Sequence, residues 1–118
     1  MGRALAIALL VSGCAASGPR AWRPSDVALE AVFVAATMVD WKQSGKYVAG
    51  CREANPAIGP CGERIPLNVW IPVAALAHLA ITHALPAGTW RTAWLGLTGG
   101  LEVDSVYANY LLDASDAR

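Results

Sequence analysis

Three apolar-rich stretches, two of them uncharged and each closed by proline, glycine or a charged residue, set the layout of this chain. Residues 31–39 form a run of nine without a formal charge between Glu30 and Asp40. Between Arg64 and Arg91 lie 26 uncharged residues, and Leu67 to Leu85 covers 19 of them. That is close to the roughly 20 residues that cross a bilayer. The third stretch, from Thr89 to Leu112, is apolar at first and more polar in its later half. These lengths predict helices, so the fold class expected is all-α, a small up-down-up bundle of three helices.

Local signals bound each helix. Pro24 and Ser25 can start the first, with Asp26 near the positive end of the helix dipole. It is expected to end near Lys42, before Ser44-Gly45 breaks it. Pro66 or Asn68 can start the second, and Pro72 must fall in its first turn or kink it. Pro86 and Gly88 end it. Thr89 is a fair cap for the third helix, which should end near Leu112, leaving 113–118 as a polar tail. Gly96 and Gly100 have the spacing that lets two helix backbones approach closely. Each mid-helix glycine costs about 1 kcal/mol against alanine, so a packing partner is expected: the alanine face of the second helix, or a second copy of the chain.

The loop between the first two helices holds Cys51 and Cys61, bracketing nine residues rich in Asn, Pro and Gly. Paired zinc ligands stand two to four apart, so a disulfide is the better reading. It belongs to an exported compartment, and closing a loop of this length is worth roughly 2.8 kcal/mol in the chain-entropy model.

Composition narrows the class. Apolar residues make up 55% of the chain and charged residues only 15%, against about 25% in ordinary soluble domains. Solvating surface is scarce. Nine basic and nine acidic residues cancel and form no basic cluster, which argues against nucleic acid as a partner.

The N-terminus reads as a processing segment, with Arg3 before the apolar run Ala4–Val11. Val11-Ser12-Gly13-Cys14 resembles the lipobox of bacterial lipoprotein signal peptides. The resemblance implies a signal peptide over 1–13, lipidation of Cys14, a tether over 14–24 and a helical domain over 25–112. It also implies a cell-envelope location on the periplasmic side, with Ala15 resembling the sorting signal for the outer membrane. The partners expected are the membrane itself, through the lipid, and an envelope protein or a second copy of the chain.

Asp40, Glu53, Asn55 and Pro56 resemble a pattern in uncharacterised small bacterial and phage membrane proteins. In those, an Asp near the end of one apolar helix precedes a Glu-x-Asn-Pro loop and a further apolar helix. The resemblance covers about 30 residues and implies a membrane-associated helical hairpin, without an activity.

Two function classes follow. The first is a non-enzymatic, membrane-anchored module that binds or shields a protein. The alternative is an integral membrane protein or an enzyme with a polar site drawn from Asp40, Glu53, Asn55, His78 and Glu102. His78 and His83 are five apart, not the four of a helical metal pair, so no metal or cofactor is expected. Trp41, Tyr47, Trp70, Tyr107 and Tyr110 would gather at one end of the bundle and Trp22, Trp90 and Trp94 at the other, as in two interfacial belts. The anchor and the disulfide conflict if helices span. With Cys14 outside and the first helix crossing, the cysteine loop falls in the cytoplasm, where a disulfide does not belong.

Overall fold

The computed structural model describes residues 21–118, which form three α-helices and no strand. Cys14, the signal segment 1–13 and most of the tether lie outside the described residues. Helix α1 covers Pro24–Ala49, α2 Leu67–Ala84 and α3 Thr89–Asp116. The expected bundle is present, and α1 packs mainly along α3, while α2 lies more loosely against both.

Two boundaries differ from expectation. Helix α1 runs through Ser44-Gly45 to Ala49. Gly45 weakens a helix interior, but Ser44 is buried, and the Tyr47 hydroxyl lies 3.0 Å from both Asn109 O and Asp113 Oδ1 on α3. Tertiary contacts outweigh the local penalty. Helix α3 likewise continues past Leu112, because Asp113 meets Lys46 and Asp116 meets Arg52. The second helix has the predicted extent, and it continues through Pro72, which removes one backbone donor from the helix.

Short connections fix the ends. Arg23 N donates to Asp26 Oδ2 (3.0 Å), capping the start of α1. Gly88, at φ +127°, turns the chain from α2 into α3 in a conformation that side-chain-bearing residues rarely adopt. Cys51 and Cys61 are bonded, with S–S 2.11 Å. Inside the closed loop the Asn55 carbonyl accepts from Ile58 N and Gly59 N, and Ile58 is almost completely buried.

The expected contact between Gly96, Gly100 and the alanines of α2 is not formed. Both glycines are exposed, and a Cβ built on either meets nothing within 4 Å. The inward face of α3 is set instead by Arg91, Leu95, Thr98, Glu102 and Asn109, spaced four, three, four and seven residues apart; Arg91 and Asn109 meet α1, and Thr98 meets α2.

The distribution of polarity is inverted relative to a water-soluble domain. Buried positions include Asp26, Glu30, Thr37, Ser44, His78, Thr82 and Arg91. Exposed positions include Val32, Met38, Val39, Val73, Leu76, Ile81, Leu97, Leu101 and Val103. Along α1 no charged side chain is exposed from Pro24 to Trp41, a length of about 25 Å at 1.5 Å per residue.

Candidate functional site

The buried polar side chains form a file along α1. Asp26, Glu30, Thr37, Asp40, Ser44 and Tyr47 recur at helical spacing and point at the rest of the bundle. Three clusters can be separated along it.

At the start of α1, Asp26 and Arg91 are both fully buried, with Arg91 Nη1 3.3 Å from Asp26 Oδ2. Arg23 adds a second cation at 3.0 Å. The Arg91 guanidinium also donates to Leu85 O and to Ala21 O. One side chain thus ties the end of α2, the entry to α1 and the first turn of α3. Buried arginine is tolerated when its fork of donors is matched in this way.

In the middle lies Glu30, 2% exposed, beside His78, 5% exposed. Glu30 Oε1 is 3.3 Å from His78 Nδ1. The Phe33 ring stacks on the imidazole with centroids 3.6 Å apart, and Trp94 stacks at 5.3 Å. The tautomer follows from the hydrogen bonds. Thr98 Oγ1 donates its only proton to Trp94 O (2.7 Å), so His78 Nε2, 2.8 Å away, must donate to Thr98. His78 Nδ1 itself has no hydrogen-bond partner, although Glu30 Oε1 lies 3.3 Å away. Trp94 Nε1 donates to Thr82 Oγ1, which donates to His78 O.

Nearer the loop, Asn109 donates to Asp40 Oδ1 (3.1 Å) and to Gln43 Oε1 (3.3 Å). Half-buried Glu102 lies within electrostatic range of Asp40 and His78, and Asp40 within range of Glu53. Glu53 Oε1 accepts from Asn55 N, while Asn55 Oδ1 accepts from Ala57 N. Glu63 accepts from its own backbone N–H and from Cys61 N (2.8 Å), and these backbone donors hold its carboxyl below the ordinary range. Arg52 is held above its usual range by its hydrogen bond to Asp116.

Of the five residues nominated from sequence, Asp40, Glu53, His78 and Glu102 fall in one electrostatic neighbourhood. Asn55 is a turn residue whose polar atoms serve the loop backbone. Sequence reasoning missed Glu30, the residue that His78 meets, and read Asp26 only through the helix dipole. The available signal was their spacing of four, continued by Thr37, on the face of an otherwise apolar helix. Among the described residues no group of three or more His, Cys, Asp or Glu side chains could hold a metal ion.

A groove opens between α1 and α2. It has a volume of about 250 Å³ and a nearly wholly apolar lining, with Glu30 and Thr37 among the residues around it. Glu30 Oε2 and Thr37 Oγ1 are both buried without a hydrogen-bond partner. The chain matches no family model, no curated protein and no solved structure.

Proposed function

We propose that this chain is a small integral membrane module of the cell envelope, with its helices in the bilayer, its disulfide loop on the exported side, and a binding role exercised within the membrane. The observation that carries the reading is the inverted polarity: carboxylates, an arginine and a histidine inside, and valine, leucine and isoleucine outside. In water this arrangement would expose apolar surface and bury ionic groups at once, and both are unfavourable. In a bilayer the same arrangement keeps ionisable side chains on the bundle interior, where membrane proteins hold them.

Hydropathy alone underrates this. Only α2 has the composition of a span, with mean hydropathy 1.4 over Leu67–Ala84 and 17% of that stretch buried. Helices α1 and α3 fall short because their charges count against them; of these Asp26, Glu30 and Arg91 are buried and Glu102 is half-buried, while Asp104 of α3 is exposed.

The disulfide supports an orientation with loop 50–66 outside. Charge pulls the other way, because Lys42, Lys46, Arg52 and Arg64 lie in or beside this loop while only Arg20 and Arg23 directly precede α1, so the orientation rests on the disulfide. In that orientation Cys14 is not on the exported side, so the lipobox reading and the spanning reading exclude each other. The lipobox supports the second reading: a lipid-anchored module, sorted to the outer membrane, that binds an envelope protein.

Site-directed spin labels at Val32, Leu97 and Ala57 in vesicles test the proposal. Labels at Val32 and Leu97 are expected to be open to oxygen and closed to a water-soluble nickel chelate, with Ala57 the reverse. Nickel access at Val32 and Leu97 equal to that at Ala57 would sink it. Intact-mass analysis of the membrane-extracted protein decides the other reading. A lipid-modified N-terminal Cys14 selects the anchored module.

A further inference from the structure

The groove between α1 and α2 has the makings of a ligand site that neither the fold nor the anchoring explains. Its walls include Val34 and Met38 of α1 and Leu76 and Leu79 of α2. Met38 and Leu76 are 52% and 60% exposed, so the opening faces sideways, out of the bundle. A cavity of about 150 Å³ lined by apolar side chains suffices for benzene. The groove is larger, at about 250 Å³, and can take a stretch of alkyl chain or a substituted ring.

Its polar content is what makes it selective. Glu30 Oε1 lies 3.3 Å from His78 Nδ1, and Thr98 engages the other ring nitrogen. Glu30 Oε2 is left over: an acceptor, buried, and without a partner. Leaving such an oxygen unmatched costs about 1–3 kcal/mol of desolvation. A ligand that donates one hydrogen bond removes this cost, and one without a donor does not.

The donor's chemistry can be narrowed. An ammonium would bring three N–H groups and a full charge to walls that offer only Glu30 Oε2 and Thr37 Oγ1 as free polar atoms. Its desolvation would cost several kcal/mol. A carboxylate would meet Glu30 as a like charge. A hydroxyl has one donor, no charge and little to desolvate.

We propose that the groove binds an uncharged lipophilic alcohol drawn from the bilayer, its chain between α1 and α2 and its hydroxyl donating to Glu30 Oε2. The inference rests on the bilayer reading for the source of the ligand. The two fail separately, because lipid accessibility at Val32 and Leu97 does not depend on Glu30 or on the groove.

The chain has two methionines, Met1 and Met38, so methyl-13C methionine labelling places one reporter on the groove wall. In phospholipid nanodiscs, 1-decanol and decyl methyl ether are titrated by mole fraction in the bilayer while the Met38 methyl resonance is followed. Decanol should shift it saturably, half-saturating at a mole fraction at least about tenfold below that of the ether, as expected when a buried, otherwise unmatched acceptor gains a donor. E30L, which removes the acceptor without adding a second methionine signal, should bring the two ligands to within about twofold. A75F, which fills the groove, should abolish both shifts. A shift that does not saturate, an ether that binds as well as the alcohol, or decylamine binding more tightly than decanol overturns the proposal. If E30L fails to fold, the comparison of alcohol with ether on the native protein still decides.

Discussion

The Asp26–Arg91 pair offers the sharpest energetic test, because both side chains are fully buried and the cation joins three segments at once. In R91M the aliphatic volume is largely kept while the guanidinium is lost. Removing one partner of a buried ion pair costs about 3–5 kcal/mol, since the other charge stays behind. Here the stranded carboxylate keeps Arg23, whose side chain is 43% exposed and screened accordingly, so the lower end of that range, about 3 kcal/mol, is expected. D26N should cost less, because the arginine retains Leu85 O and Ala21 O. The double variant R91M/D26N should be no less stable than R91M, as no unpaired carboxylate remains. The assay is equilibrium unfolding in mixed micelles, followed by circular dichroism and arranged as a double-mutant cycle. Single effects that add to within about 0.5 kcal/mol, or an R91M cost below about 1 kcal/mol, would show that the pair behaves like an exposed surface bridge and would refute the argument.

Further expectations concern the loop. Replacing both Cys51 and Cys61 by serine should lower stability by roughly 2.8 kcal/mol in the chain-entropy model, read from unfolding midpoints with and without reductant. G59A should cost about 1–2 kcal/mol, because the residue sits at φ +81°. It should also displace the Glu63 carboxyl, which a Cβ would meet at 2.5 Å, seen as a change in the Cys61 amide resonance. Glu63 itself titrates below the ordinary carboxylate range when folded. Its contribution to stability is therefore full above the unfolded-state value and is lost as pH falls through the folded one. E63Q should remove that acid-side dependence in a pH series of unfolding midpoints, and an unchanged profile would contradict it.

The helices were legible because apolar runs, prolines and glycines are local signals, and the disulfide because cysteine spacing is local as well. What sequence could not show were partners. Ser44-Gly45 looked like a break because the contacts of Tyr47 with Asn109 and Asp113 lie more than 60 residues away. The tail looked free for the same reason, since Asp116 meets Arg52 across 64 residues. Gly96 and Gly100 carried a pattern that signals close packing, but the pattern does not say on which side the neighbour stands. In this fold α3 turns its polar face inward and its glycines outward. His78 was singled out without Glu30 because a carboxylate early in a helix has an adequate local explanation in the helix dipole.

The inverted interior has a calorimetric consequence. Among the described residues the buried apolar side chains are Phe33, Ala36, Tyr47, Ile58, Ile71 and Leu95, a small set for a bundle held largely by ion pairs and hydrogen bonds. Heat capacity of unfolding tracks apolar surface newly hydrated, and ordinary domains show about 12–15 cal/mol/K per residue. This fold has little such surface to hydrate. Its stability curve should be shallow across temperature, with enthalpy nearly constant and no loss of stability on cooling, so that heat acts on it as on a set of directional bonds.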